Sequence, residues 1–225
     1  MGLPKRADNG LSLGGFSAAA YQASDARLWL VSDASRGYLL LVGPLAKALR
    51  TGDQRQVGPR LVLRDQRGTP LPPSFDAEGL VLTGEHGVWV VSEGRRQAGH
   101  QARLQRFSLR NGWLLETMPL PPAWTALPGQ GLAVNQGPGS LTRSIDGGLV
   151  VAAEAPLLQD LAVGDRDGVR LAHLDLDGVM QERGRILLDS VSSDPEETVG
   201  LTELLALDGP PALLALIRRH RPLQW

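Results

Sequence analysis

Apolar residues in this chain come in short bursts separated by turn formers. The runs Arg27–Asp33 (RLWLVSD), Gly87–Glu93 (GVWVVSE), Gly148–Glu154 (GLVVAAE) and Ala212–Arg218 (ALLALIR) each hold five or six apolar or small residues after a turn. Their length, with valine, leucine and tryptophan, predicts buried strands rather than helices. Between them lie alternating segments with sharp turns. Ala102–Leu120 carries Asn111-Gly112 between two strand-like halves, and Val169–Asp189 repeats the design with Asp177-Gly178. Both dipeptides suit the positive-φ turn of a hairpin. The best helical segment, Val42–Arg50, is short, and glycine and proline punctuate the rest too often for long helices.

The pattern repeats. The four apolar runs end at Asp33, Glu93, Glu154 and Ile217, at intervals of 60, 61 and 63 residues. Each follows a partner strand that turns apolar: Phe16–Tyr21, Glu78–Leu82, Gln130–Val134 and Glu203–Leu207. A more polar hairpin fills the space between successive pairs. One unit is therefore four antiparallel strands, an inner buried pair and an outer amphipathic pair, which is the design of a β-propeller blade. A sandwich with coincidental spacing is the competing arrangement. The expected fold is an all-β propeller of four-stranded antiparallel blades, with about 3.5 blades in this chain. Residues 1–10 read as an N-terminal extension and 11–225 as one propeller domain, C-terminally incomplete. An open blade edge at the fourth unit predicts self-association.

Composition narrows the function classes. The chain has 225 residues, 42% hydrophobic and 21% charged, with a net charge of -1. These values suit a folded globular protein and speak against a disordered or coiled-coil chain. Near-neutral charge argues against a nucleic-acid partner. Absence of cysteine removes disulfides, thiolate metal sites and a cysteine nucleophile. No run approaches the ~18 apolar residues of a membrane span. The N-terminal MGLPKRADNG has no apolar core of a signal peptide, and the compartment stays open.

The chemistry gathers at the strand ends. Asp33, Glu93 and Glu154 close the second inner strands, and Glu78 and Glu203 open first inner strands, with Gln130 and Ser17 at the matching places. In antiparallel hairpins these ends converge, so the acids form either a site or a set of solvated strand ends. Converging carboxylates repel one another and require protonation, arginine or a metal. An oxygen-rich, sulfur-free set suits a hard cation, calcium above all. Asp33, Glu78, Glu93, Glu154 and Glu203 are thus candidate metal ligands, with Glu78, Glu93 and Glu154 as candidate catalytic acids or bases. Arg36, Arg95, Arg96 and Arg218 follow the acids and could hold a phosphate, or be solvated at strand exits. The histidines His86, His100, His173 and His220 lack metal-site spacing. Gly164–Gly168 and Leu174–Gly178 resemble calcium loops, but Asp-Gly turns account for them better. Ser17 in GFSAA lacks the strand-to-helix context of a nucleophile elbow.

The motifs SD (Ser32-Asp33), AEG (Ala77-Glu78-Gly79), SEG (Ser92-Glu93-Gly94), QGLA (Gln130-Gly131-Leu132-Ala133), EAPL (Glu154-Ala155-Pro156-Leu157), TELL (Thr202-Glu203-Leu204-Leu205) and LIR (Leu216-Ile217-Arg218) occur in order along the chain. Together they resemble the phytase-like β-propeller family described by its "esterase-like activity of phytase", from about Leu11 to His220. The resemblance implies a propeller, often periplasmic or secreted, that hydrolyses phosphoesters or esters. Two departures stand out: Gln130 and Ile217 replace glutamates of the family pattern. Two functions remain open. One is a calcium-dependent hydrolase of small anionic or ester substrates with a partly degraded acidic site. The other is a non-catalytic propeller that binds a ligand or partner.

Overall fold

The computed structural model describes residues 14–34, 36–45, 50, 57–84, 86–188, 197–207 and 212–221. It is all-β and built from antiparallel blades. The first sheet comprises β1 (Phe16–Gln22), β2 (Arg27–Ser32), β3 (Tyr38–Val42) and β4 (Val57–Val62). The second comprises β5 (Ala77–Thr83), β6 (Gly87–Ser92), β7 (Arg103–Ser108) and β8 (Leu114–Pro119). The third comprises β9 (Pro138–Arg143), β10 (Leu149–Ala153), β11 (Gly168–Leu174) and β12 (Met180–Leu187). A fourth, two-stranded sheet pairs β13 (Thr198–Leu207) with β14 (Ala212–His220). Strand order follows chain order in every sheet. The expected propeller blades are therefore present, three complete and the inner pair of a fourth.

The chain divides into two compact units, 1–92 with 105–117, and 93–104 with 118–225. In the first, Val31, Leu39, Phe75, Leu80, Val88, Val90 and Phe107 form one buried core. Phe75 and Phe107 meet edge to face at 6.0 Å, a geometry that the ring quadrupoles favour. In the second, Trp124 is 1% exposed and its indole N–H donates to Glu182 Oε1 at 2.7 Å. Arg170 on β11 donates to Asp160 of the short helix α1 (Leu158–Ala162) and to Glu182 on β12. Asp160 is buried and Arg170 largely so, and the pairing satisfies charges that would otherwise be costly inside a blade.

Both predicted turn hairpins form. Gly112 and Gly178 adopt the positive φ that their turns require. Asp175 Oδ1 accepts the N–H groups of Asp177 and Val179, and Asp165 Oδ1 accepts that of Gly168. These aspartates thus serve turns, as expected. Residues 46–49 of the helical candidate Val42–Arg50 lie outside those described, and so does the whole extension at 1–10.

One strand is misplaced by the sequence reading. The third blade opens with β9 at Pro138, not with Gln130–Val134. Residues 127–136 form short turn-like bridges, Leu127 with Gln130 and Ala133 with Gln136. Gly129, Gly131 and Asn135 have positive φ there, which a pleated strand does not accept. Pro138 is tolerated because β9 is the edge strand of its sheet.

Candidate functional site

The pairing register, rather than sequence spacing, defines which residues are equivalent between blades. In every blade the first inner strand carries a one-residue bulge opposite the end of the second. The bulged residues are Ser17, Glu78, Gly139 and Thr202. A bulge leaves its extra residue unpaired and re-aims the side chain. The ladder partners beside it are Phe16 with Ser32, Ala77 with Ser92, Pro138 with Ala153, and Leu201 with Ile217. The residue after each of these second-strand partners is accordingly Asp33, Glu93, Glu154 and Arg218, the last still within β14. The residue two before each bulge is Gly15, Asp76, Gly137 and Gly200.

This register corrects three sequence equivalences. Arg218, not Ile217, occupies the acid position of the fourth blade, because the bulge shifts that ladder by one. Thr202, not Glu203, matches Glu78. Gly139, not Gln130, matches it in the third blade, and the Gln130 carbonyl instead accepts a hydrogen bond from Arg96.

The acid of one blade reaches toward the lead-in residue of the next. In the first unit, Asp33 comes together with Asp76 and Glu78, each offering a carboxylate oxygen within 4.8 Å of the others. It is the one such group of three among the described residues. The Asp33 N–H donates to the Gly15 carbonyl at 2.8 Å, and a Cβ on Gly15 would collide with the Asp33 carboxylate. Ser32, buried at the end of β2, donates its hydroxyl to the Gly14 carbonyl at 2.7 Å and accepts the Ala34 N–H. Backbone and hydroxyl together fix where Asp33 leaves the strand. Asp76 immediately precedes β5 and Glu78 is its bulged residue, so the bulge rather than the strand pleat sets the direction of Glu78. Partial burial, and next the charge of Asp76, push the Asp33 carboxyl above its ordinary pKa. Asp33 is nevertheless the most exposed of the three.

In the second unit the corresponding positions hold glycine. Glu93 Oε2 accepts the Gly137 N–H at 3.1 Å, and the Gly137 carbonyl accepts the Glu154 N–H at 2.8 Å. One glycine thus bridges the two acids. The Glu154 carboxylate lies over Gly200 and pairs with Arg218 at 3.0 Å. Burial raises the Glu154 pKa, with Arg218 opposing it. Glu203 is also shifted upward by burial, against the pull of the Leu204 N–H. The structure therefore brings Asp33 and Glu78 together and gives Glu93, Glu154 and Glu203 separate engagements. Asp76 escaped the sequence reading, although the Asp-x-Glu spacing beside Phe75 carried the signal.

The arginines divide likewise. Arg36 and Arg95 are exposed; Arg36 has a positive φ of 80°, and Arg95 pairs through its backbone with His100. Arg96 donates to the carbonyls of Leu127, Gln130 and Leu132, so its guanidinium holds the loop before β9. Arg218 alone of the four is ion-paired with a candidate acid among the described residues.

Among known families, the Phytase-like family, "Esterase-like activity of phytase", matches residues 11–224. No curated protein matches the chain. Among solved structures, the chain is similar to the extracellular domain of a protein described as a hybrid two-component system from B. thetaiotaomicron. The identity is 17% and the TM-score 0.49, over 94% of this chain and 21% of that one. The chain thus spans about a fifth of the length of that structure.

Proposed function

The chain belongs to the Phytase-like family, and from that premise we propose that it is a cation-dependent hydrolase of phosphoesters or carboxylic esters. The observation that carries the reading is the group Asp33, Asp76 and Glu78, with carboxylate oxygens within 4.8 Å of one another. Three oxygen donors without nitrogen or sulfur fit a hard cation such as calcium. The Asp33 pKa is raised first by burial and next by the charge of Asp76, a repulsion that a bound cation would relieve. When bound, such a cation polarises an ester oxygen and acidifies water. Asp76 and Glu78 would hold it at the start of β5. Asp33, exposed and with its proton affinity increased, is the group to accept a proton from attacking water. Ser32 and Gly15 keep that carboxylate in place.

The test is calorimetric titration of calcium into the parent and into Asp33→Asn, Asp76→Asn and Glu78→Gln. A panel of phospho- and carboxylic esters is assayed alongside, with and without chelator. We expect saturable uptake by the parent, weakened at least about tenfold in each variant, and ester turnover that chelator abolishes. Negligible uptake by the parent would sink the reading.

A specific observation favours a second reading, a non-catalytic binding module. Gly137 and Gly200 stand where Asp76 stands, and Arg218 stands where Asp33 stands. The three-carboxylate group is therefore not repeated among the described residues. Calcium uptake without turnover of any ester would support that alternative.

A further inference from the structure

Gly14 and Gly15 lie outside the ladder of the first blade, since β1 begins at Phe16. They nevertheless form the seat of Asp33. The Gly15 carbonyl accepts the Asp33 N–H at 2.8 Å, and Asp33 Oδ1 fills the space where a Gly15 side chain would stand. Both glycines have positive φ, 149° and 61°, a backbone that other residues rarely adopt. Two unpaired glycines lose much conformational freedom when ordered and recover little from their own chain. Their order comes from the neighbouring strands.

Ser32 and Tyr38 stand directly opposite each other in the β2–β3 ladder, so their side chains share a face. Both hydroxyls reach Gly14. That of Ser32 donates to the Gly14 carbonyl at 2.7 Å. That of Tyr38 lies 3.2 Å from both polar atoms of Gly14, donating to the carbonyl and accepting the N–H. One phenol thus meets both backbone groups, as a paired strand would. Tyr38 is 1% exposed, and its ring is held independently. Phe16 meets it edge to face at 6.3 Å, and the Arg60 guanidinium stands 4.9 Å from its centroid. The blade design does not demand a hydroxyl at this end. Ala153 and Ile217 take the place of Ser32 in the third and fourth blades.

The demand comes from Asp33. An exposed carboxylate at a strand exit, beside the charges of Asp76 and Glu78, is driven outward by repulsion. Keeping it in the group requires a backbone that does not yield. We infer that Tyr38 is a positioning residue for Asp33: its hydroxyl holds Gly14 and, through Gly15, fixes where the Asp33 carboxylate meets Asp76 and Glu78. Its value for cation binding rests on the proposed cation-dependent function; the positioning itself needs no cation.

The experiment compares the full chain with Tyr38→Phe, which removes one oxygen and keeps the ring. Nuclear magnetic resonance in chelator follows hydrogen exchange of the Asp33 amide. Tyr38→Phe should speed it about fivefold or more, as loss of one hydrogen bond does, with the amides of β6 unchanged. Tyr21→Phe removes a phenol from a residue that is 56% exposed, and it should exchange as the parent does. Calorimetric titration then reads calcium affinity. Tyr38→Phe should weaken uptake by about the same factor. In an Asp33→Asn background it should weaken uptake no further, because the effect passes through that carboxylate. Parent-like exchange at Asp33 in a folded Tyr38→Phe overturns the inference, whatever the chain does with calcium. So does an equal loss of calcium affinity in both backgrounds, which a general loss of stability would produce. Faster exchange in a chain that takes up no calcium supports the positioning role and removes the cation reading. Calcium uptake by the parent, with exchange and affinity unchanged in Tyr38→Phe, does the reverse. Should Tyr38→Phe fail to fold, the parent decides: a nuclear Overhauser effect between the Tyr38 ring and the Gly14 amide supports the inference, and its absence overturns it.

Discussion

Glu203 is a half-buried carboxylate that accepts the N–H of its neighbour Leu204 at 3.0 Å. Burial raises its pKa, so folding favours the protonated form. The stabilisation is therefore complete at low pH and is lost as pH rises through the folded value. Glu203→Gln keeps the shape without the charge. It should raise the urea midpoint near neutral pH and remove part of the decline in stability between mildly acidic and neutral conditions. An unchanged pH slope in the variant would count against the burial argument. Asp160 shows the opposite sign. Its hydrogen bonds from Arg170 hold the carboxyl below its ordinary pKa, so its stabilisation is present above the ordinary range and disappears as pH falls through the lowered value. Asp160 is 3% exposed. Arg170→Ala would leave it charged with only the longer contact to Arg185 at 3.3 Å, at a cost of up to about 3–5 kcal/mol. Denaturant titration of the variant checks this, and a loss below about 1 kcal/mol, the range of surface pairs, would mean that solvent or Arg185 compensates.

At the scale of elements, the bulges decide which side chains meet, and they also mark the limit of the sequence reading. The apolar runs located β2, β6 and β10 because burial of a central strand leaves a continuous signature, and β14 by the same signature although it is exposed. Asn111-Gly112 and Asp177-Gly178 located two outer hairpins because turn chemistry is local. A bulge has no comparable local mark. Ser17, Glu78, Gly139 and Thr202 share no residue type, so the one-residue shift in each ladder was invisible, and Ile217 stood in for Arg218. Gly137-Pro138-Gly139 reads as a turn, yet it opens β9, because an edge strand accepts proline and the two glycines make room for neighbouring acids. The carboxylate group was legible as Asp33 and Glu78 and illegible as a set of three, since Asp76 lies before its strand rather than in it. Gly137 offers a direct test. It has ordinary backbone geometry, but an added Cβ would collide with the Cβ of Glu93. Gly137→Ala should cost about 1–3 kcal/mol, the range for overpacking, read from the shift of the denaturant midpoint. A neutral effect would show that Glu93 moves aside freely and that its bond to the Gly137 N–H is dispensable.

At the scale of the molecule, the blades are alike in design and unequal in protection. Val88 and Val91 on β6 are 0% exposed, covered by the strands that follow in their own sheet. Their ladder equivalents on β14, Leu213 and Leu216, are 38% and 62% exposed, and Leu214 between them is 58%. Only β13 pairs with β14 among the described residues. An apolar strand with a free hydrogen-bonding edge is a template for pairing with another strand, and exposed leucines on it add a hydrophobic incentive. We therefore expect this chain to associate in a concentration-dependent manner through β14. Lysine is the residue natural sheets use to blunt an edge. Leu214→Lys with Leu216→Lys should shift the sedimentation profile toward monomer, with little loss of stability because both side chains are already in solvent. A parent that sediments as a monomer at every accessible concentration would show that the open edge of β14 is not used in self-pairing.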